Sequence, residues 1–321
     1  MLSQGKLLRN VLILNMDKQL EDISATMYGK EVACLNTEQV YIVVIFMVKR
    51  LIETFVRNVG EKKYYYISTK FSKGSFLENN LVNLGIYEVL EGVLASKGQE
   101  LSELKIVEEE YMGQQISFKE TSKNFFEQCA NINMPAEALG IRYISQGNEQ
   151  GKTNYIQEKS WLVKHDVKYE AQFIHVKTKY AYYDMDVVGR DKEIYKFHLF
   201  DLEMDNELSE EDKQIYISYF LAHSSIKVIL QQMKEKHYDL RKMDQYAKIG
   251  TEGEYLAFVI PELIRILVYE KAIPMNEVLE IVRKVCGYET YSAMLRAVES
   301  CPSTYVEKLV PHLIEKMKGM N

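Results

Sequence analysis

The stretch from Gly250 to Leu267 constrains the fold more than any other part of the chain. An apolar lead-in ends in a turn that contains two glycines, and a helical pattern follows with Leu263, Ile266 and Leu267 on one face. A strand, a loop and a helix in this order form the unit on which α/β proteins carry their ligands. The loop holds two glutamates and no histidine, cysteine, lysine or serine. The pattern therefore predicts the scaffold of an α/β enzyme without its catalytic groups.

Composition and charge narrow the possible partners and compartments. The chain has a net charge of -6 and no block of basic residues, so we expect no nucleic-acid partner. Val40 to Val48 are nine apolar residues, about half a bilayer core in helical form, and predict a buried helix with no membrane span. No CxxC occurs, which favours free thiols in a reducing cytosol over a zinc site or a disulfide framework. The cysteines are Cys34, Cys129, Cys286 and Cys301.

The first third of the chain favours long helices, because it contains no proline. Asn36-Thr37 can cap a helix that ends near Gly60, so residues 1–60 form a leading helical segment. No internal repeat and no Gly/Ser-rich linker divides the chain. We therefore expect residues 1–321 to form a single domain.

Apolar periodicity predicts the remaining elements. Strands are expected at Tyr64–Ser68 and Ala138–Ile144, and a short third strand begins at Tyr246. A long helix is predicted over Glu210–Lys236. Other predicted helices cover Gly74–Gly85, Ile86–Ala95, Leu101–Val107, Phe118–Asn131, Met275–Cys286, Ala293–Glu299 and Tyr305–Met317.

Residues from about 165 to 205 differ in pattern from the rest of the chain. Glu170–Lys177, Tyr180–Val188 and Ile194–Leu202 alternate polar and apolar residues with a period of two. Such alternation is typical of half-buried antiparallel strands. We therefore expect an antiparallel β insertion in this part of the chain.

Several candidate site motifs have plainer explanations. Gly147–Thr153 ends in Gly-Lys-Thr but has three residues between its glycines where a phosphate-binding P-loop has four, so it is predicted to be a surface loop. No two of the six histidines have HExxH spacing, so we expect core or surface roles for them. The run Glu108-Glu109-Glu110 is expected to be a solvated surface. The 23 tyrosines could stack on sugars, but their scatter favours packing.

An ordered series of short segments resembles the glycogen, starch or α-glucan phosphorylases. It begins with Tyr65-Tyr66-Ile67-Ser68 and Asn80–Gly85, continues with Gly140-Ile141-Arg142-Tyr143, and includes Ile260–Leu267 and Leu309–Leu313. The resemblance implies the Rossmann-like, three-layer α/β domain that forms the N-terminal lobe of a GT-B glycosyltransferase. It also implies that the second lobe, whose lysine holds the family's pyridoxal phosphate, lies outside this chain. We therefore expect no cofactor here.

The resemblance further implies that the catalytic cleft is degenerate. The family's glycine-rich loop falls at Gln114–Glu120, where no glycine remains, and its glutamate after the first strand is replaced by Lys70. The family's Asn-Asp-Thr-His-Pro run falls at Glu252–Leu256, and a later cleft histidine falls at Tyr291. The degenerate cleft positions are Lys70, Gln115, Ser117, Glu254, Tyr255 and Tyr291.

These expectations lead to a functional hypothesis: a catalytically inactive phosphorylase-like protein that binds glucan or regulates glycogen or starch metabolism. Its expected partners are a second copy, a true phosphorylase or an α-glucan. Two alternatives stay open from the sequence. The chain could be half of a split phosphorylase, completed by a separate chain that carries pyridoxal phosphate, or a folded remnant without a task.

Overall fold

The computed structural model describes eleven stretches of the chain between residues 2 and 286. The described ranges are 2–55, 61–69, 76–112, 135–143, 161–165, 169–173, 176–180, 182–189, 192–202, 210–252 and 258–286. The predicted loop at Gly147–Thr153 and the predicted helices at Phe118–Asn131, Ala293–Glu299 and Tyr305–Met317 lie outside these ranges.

The described elements are nine α-helices and eight strands, and most bounds agree with the predicted ones within a few residues. The helices are α1 (Leu2–Tyr28), α2 (Thr37–Glu53), α3 (Phe76–Leu84), α4 (Tyr87–Ser96), α5 (Leu101–Met112), α6 (Glu210–Glu235), α7 (Met243–Tyr246), α8 (Val259–Arg265) and α9 (Met275–Val285). The strands are β1 (Lys63–Ser68), β2 (Ala136–Tyr143), β3 (Val163–Lys164), β4 (Tyr169–Phe173), β5 (Val176–Tyr180), β6 (Tyr182–Val188), β7 (Ile194–Leu202) and β8 (Ala247–Glu252). A π-helical turn, Ile266–Glu270, extends α8.

Helix α2 begins at the predicted cap. The Asn36 side chain accepts a hydrogen bond from the Gln39 backbone N–H at 2.9 Å, and the Gln39 side chain accepts one from the Asn36 N–H at 3.2 Å. This capping box satisfies two N–H groups that the helix itself cannot pair. Most of the apolar run Val40–Val48 is buried in α2, which confirms the buried-helix prediction. Within the described ranges, no helix is both long and apolar enough to cross a membrane.

Six strands form the main sheet, in the spatial order β3-β6-β7-β2-β1-β8. The four strands β7, β2, β1 and β8 are mutually parallel, whereas β6 and β3 extend the sheet as an antiparallel edge. Strands β4 and β5 form a separate two-stranded sheet. The predicted antiparallel pairing is confirmed for β6 with β7. However, β7 also pairs in parallel with β2, so this strand belongs to the central sheet and is not part of an insertion.

Helices pack on both faces of this sheet and create two hydrophobic clusters. Tyr65, Ile67 and Leu139 face one cluster, which is completed by buried side chains of α6, α8 and α9. Tyr66 and Ala138, from the same strands, face the other cluster, which α1 to α5 complete. Alternate residues of a strand point to opposite faces, so one central strand supplies both clusters. This three-layer arrangement confirms the α/β class.

Three asparagines of α3 close the free side of β6 near its end. The Val188 carbonyl accepts hydrogen bonds from the side-chain amides of Asn79 at 3.0 Å and Asn83 at 2.7 Å. The Val188 N–H donates to Asn80 Oδ1 at 2.8 Å. Because β3 pairs with β6 only at Tyr183 and Asp184, these amides supply partners that a neighbouring strand would otherwise provide.

Candidate active-site edge and the buried polar clusters

The parallel strands place one gap in the position where open α/β sheets bind ligands. Along the chain, β1, β2, β7 and β8 are the first to fourth parallel strands, and they lie in the order 3-2-1-4. The order therefore reverses between β1 and β8, and ligands of such sheets bind outside the carboxyl ends at this reversal. Ser68 is the register partner of Glu252, so β1 and β8 end at the same level of the sheet.

Three of the predicted cleft residues follow these two strand ends in sequence. Lys70 comes two residues after Ser68, and Glu254 and Tyr255 come shortly after Glu252. All six predicted cleft positions lie outside the described residues, so their roles stay predictions. They are Lys70, Gln115, Ser117, Glu254, Tyr255 and Tyr291.

A buried carboxylate anchors the helix that follows the loop after β8. Glu262, in the first turn of α8, accepts hydrogen bonds from Arg265 at 2.7 and 2.8 Å, and its Oε1 lies 2.7 Å from His223 Nδ1 on α6. Burial alone would raise the pKa of Glu262, but the hydrogen bonds from Arg265 and His223 outweigh burial and lower it. The cluster fixes α8 against α6 and explains how the predicted helix keeps a glutamate on its inner side.

A second polar cluster crosses the sheet and alternates in charge. His198 on β7 places Nδ1 2.5 Å from Asp184 Oδ1 on β6 and Nε2 2.8 Å from Glu137 Oε2 on β2. Lys63 on β1 forms an ion pair with Glu137. Asp184 Oδ2 also lies 2.7 Å from His165 Nε2 and 3.3 Å from Lys196 Nζ. We call these six residues the charge array: Lys63, Glu137, His198, Asp184, Lys196 and His165.

The electrostatics of the charge array favour its ionised form. Burial alone would lower the pKa of His198, but the hydrogen bonds to Asp184 and Glu137 outweigh burial and raise it to about 9. Burial would raise the pKa of Glu137, yet His198 and Lys63 hold it well below its usual range. The same competition lowers the pKa of Asp184. An imidazolium between two carboxylates therefore crosses three adjacent strands.

The charge array has the properties of a structural cluster. Its central residues His198 and Glu137 are buried and bond mainly to each other and to their neighbours. Lys63 and Glu137 lie at the amino ends of β1 and β2, opposite the edge at which α/β sheets bind ligands. The prediction of a core or surface role is thus confirmed for His198, which is a core residue. The sequence pattern did not indicate its partners, because Glu137 and Asp184 lie 61 and 14 residues away along the chain on other strands.

The glutamate run Glu108–Glu110 does not have the predicted solvated character at its first residue. The Glu108 side chain is buried and accepts hydrogen bonds from Trp161 Nε1 at 2.7 Å and from the Leu77 N–H at 3.0 Å. The prediction was wrong for Glu108, because an acidic run on a helix also places one member toward the core. The carboxylate caps the amino end of α3, where negative charge is favourable.

Metal-ligating side chains and thiols are two further kinds of chemical group among the described residues. Across the ranges given above, no group of three or more histidine, cysteine, aspartate or glutamate side chains could hold a metal ion. Cys34 is exposed and Cys286 is buried, and both are free thiols. Cys129 and Cys301 lie outside the described residues.

Comparison with known proteins places the chain near one family. Residues 203–321 match the family model described as carbohydrate phosphorylase. The maltodextrin phosphorylase of Streptococcus pneumoniae is 26% identical over 333 residues, which cover 92% of this chain and 44% of that protein.

The chain is related to the carbohydrate phosphorylases.

Other phosphorylases match at lower identity. The glycogen phosphorylase of Bacillus subtilis is 22% identical and covers 83% of this chain and 40% of that protein. The α-glucan phosphorylase H isozyme of Vicia faba is 22% identical and covers 82% of this chain and 39% of that protein. The resemblance predicted from the sequence is confirmed. The chain spans about two fifths of the length of the phosphorylases that it matches.

Proposed function

We propose that this phosphorylase relative has the Rossmann-like fold of a GT-B N-terminal lobe and serves glycogen or starch metabolism as a glucan-binding or regulatory protein without catalysing phosphorolysis. The strand order 3-2-1-4, with helices on both faces, supports the Rossmann-like part of the proposal. Beside β8, Cys286 forms an isolated parallel β-bridge with Ile249, which adds one parallel pairing on that side of the sheet.

The proposal rests on a contrast between two sets of residues: buried residues of α8 resemble the family, whereas the cleft positions differ from it. Pro261, Leu263 and Ile264 are buried in α8, within the run that resembles the phosphorylases most closely. The cleft positions in the same resemblance carry replaced side chains, including Lys70 in place of a glutamate and Tyr291 in place of a histidine. A core that resembles the family, next to cleft positions that differ from it, supports a role that needs the fold alone.

Phosphorolysis is tested directly. The purified chain is incubated with glycogen, inorganic phosphate and added pyridoxal phosphate, and glucose 1-phosphate is measured. We expect no release above a protein-free blank, and release above that blank would overturn the inactive assignment. Borohydride reduction followed by mass spectrometry tests the cofactor, and we expect no lysine with a pyridoxyl adduct.

The binding or regulatory role needs a separate test. We expect the chain to co-sediment with glycogen and not with dextran, whose linkages differ, or to change the rate of the S. pneumoniae maltodextrin phosphorylase when the two are mixed. Size-exclusion chromatography with light scattering measures whether it forms a homodimer or joins that phosphorylase. Absence of all three effects would contradict the proposal.

Half of a split phosphorylase is the second candidate. It is favoured by the match of 92% of this chain to 44% of the maltodextrin phosphorylase. The test is to mix the chain with the separately expressed remainder of that enzyme and to measure glucose 1-phosphate. We expect no activity, because a second chain would not restore the backbone amides of a glycine-rich loop at Gln114–Glu120. Activity on mixing would favour this candidate over the first.

A further inference from the structure

Both hydrogen-bond partners of His198 in the charge array can be satisfied in only one protonation state of its imidazole. A neutral imidazole has one N–H donor, whereas an imidazolium has two. His198 faces a carboxylate at each ring nitrogen, with Asp184 at 2.5 Å and Glu137 at 2.8 Å. Without its proton, one ring nitrogen would face a buried carboxylate as acceptor against acceptor. The closed arrangement therefore requires His198 to be protonated.

The groups around His198 come from every element packed against it. The Gln232 amide on α6 donates to Glu137 at 2.8 Å, and the Tyr65 hydroxyl on β1 donates to Gln232 at 2.8 Å. Lys63 faces Glu137, while Lys196 and His165 face Asp184. Both carboxylates thus have other cations nearby. His198 is nevertheless the group that links them, because among the described residues it is the one that contacts both carboxylates.

The two carboxylates belong to different parts of the sheet. Glu137 lies on β2 in the parallel centre, whereas Asp184 lies on β6 in the antiparallel edge. β6 itself is held on β7 by a ladder of seven register pairs, whereas β3, beyond β6, is paired through two residues, Val163 and Lys164. Short edge pairings are the elements that open most easily in a folded protein.

We propose that His198 is a pH-operated latch that, through Asp184 and its contact with His165, holds residues 161–165 on β6 and releases them when the imidazole loses its proton. This inference goes beyond the proposed metabolic role and does not depend on it. In the released state the Asp184 side chain turns away from His198 and His165, and both carboxylates gain water.

The pH window, the range over which the latch opens, follows from the direction in which the pKa of His198 is shifted. The pKa of His198 is raised from its ordinary 6.5 to about 9 by its two carboxylates. The latch is therefore fully effective below pH 6.5 and is lost as the pH rises through 9. Between these limits one proton is released on opening, so the opening equilibrium constant is expected to rise about tenfold per pH unit.

The protein contains a built-in probe of this opening. Trp161 is the single tryptophan of the chain, is buried, and lies two residues before Val163 of β3. Acrylamide quenching of its fluorescence therefore reports access to the edge. Quenching is measured from pH 6 to pH 9.5 on the full chain, with far-ultraviolet circular dichroism at each pH to follow global structure.

We expect Trp161 quenching to increase steeply across the window while circular dichroism stays unchanged. His198→Gln should remove this pH dependence, because glutamine does not titrate. His223→Gln is the matched control: it removes another buried histidine with a carboxylate partner, and Glu262 keeps Arg265, so the wild-type dependence should persist.

A second variant covers the case in which His198→Gln does not fold. Asp184→Asn keeps an acceptor for His198 Nδ1 but removes one negative charge, so the rise in quenching should move to lower pH. The proposal is overturned if wild-type quenching is flat across the window or if it rises only together with loss of circular dichroism. An unchanged dependence in His198→Gln, or in Asp184→Asn, would overturn it equally.

Discussion

Glu137 Oε2 lies 2.8 Å from His198 Nε2 although the two residues are not register partners. In the parallel pairing of β2 with β7, Glu137 lies beside Lys196 and His198 lies beside Leu139. The contact is therefore diagonal, and it joins two strands whose backbones are already paired. It also makes Glu137 the meeting point of His198, Lys63 and Gln232.

Removing the charge of Glu137 should destabilise the fold strongly. Glu137→Gln leaves Lys63 and His198 partly buried without a full counter-charge, and breaking a buried pair in this way costs about 3 kcal/mol. Urea unfolding measures the change. Glu88→Gln is the matched control, because Glu88 is 83% exposed and pairs with Arg9 at 3.8 Å, and it should change stability very little. Equal effects of the two variants would contradict a structural role for the array.

The acid limb of the stability curve should depend on Glu137 and Asp184. Their pKa values are lowered from 4.5 and 3.8 in the folded chain, so the stabilisation is present above about pH 4.5 and is lost as the pH falls through the folded values. Because the unfolded chain binds up to two more protons, the free energy of unfolding should fall by up to about 3 kcal/mol per pH unit there. Urea unfolding at pH 2.5 to 6 checks this. With Asp184→Asn, the free energy of unfolding should fall less steeply as the pH decreases. An unchanged slope would contradict the role of Asp184 in the acid dependence.

Replacing Glu108 by glutamine should weaken the cap of α3. The amide oxygen of Glu108→Gln can take the place of Oε1, which accepts from both Trp161 Nε1 and the Leu77 N–H, but its NH₂ group then faces the Leu77 N–H in the place of Oε2, and the negative charge is lost. We expect a loss of about 2 kcal/mol and a shift in the Trp161 emission spectrum. Glu103→Gln, on the exposed side of the same helix, should leave the spectrum as in the wild type. A silent Glu108→Gln would show that the carboxylate does not cap α3 in solution.

Two glycine-to-alanine substitutions should have opposite effects. A Cβ at Gly189 would lie 2.4 Å from Cε2 of the buried Tyr195 ring, so Gly189→Ala forces the turn or the ring to move and should cost about 2 kcal/mol. Gly92 lies within α4 with nothing within 4 Å of the added carbon, so Gly92→Ala should stabilise the chain by about 0.5–1 kcal/mol. Thermal unfolding monitored by circular dichroism measures both. A stabilising Gly189→Ala would mean that the Tyr195 contact does not exist in solution.

Local signals in the sequence were sufficient for most elements. Asn36 and Gln39 carry the cap of α2, and the alternation in Ile194–Leu202 indicates a strand. However, alternation indicates only that one face of a strand is more polar than the other. It does not indicate which strand lies beside it. The parallel pairing of β7 with β2 therefore could not be read from Ile194–Leu202.

Long-range polar contacts were the part that sequence could not supply. Glu108 and Trp161 are 53 residues apart, and Glu137 and His198 are 61 apart. Their pairing depends on how α5 and the strands are placed in three dimensions, and no spacing rule encodes it. The cleft assignments at Lys70 and Tyr291 rest on family resemblance and stay predictions, since both positions lie outside the described residues.

The asparagine side chains on Val188 have a consequence for assembly. An unpaired strand margin offers a template on which a foreign strand can add, and this is a common start of aggregation. Asn79, Asn80 and Asn83 fill the hydrogen-bonding positions of that margin with amides of the same molecule. A foreign strand that added here would have to displace these amides first, so growth of a continuous intermolecular sheet is hindered at this point.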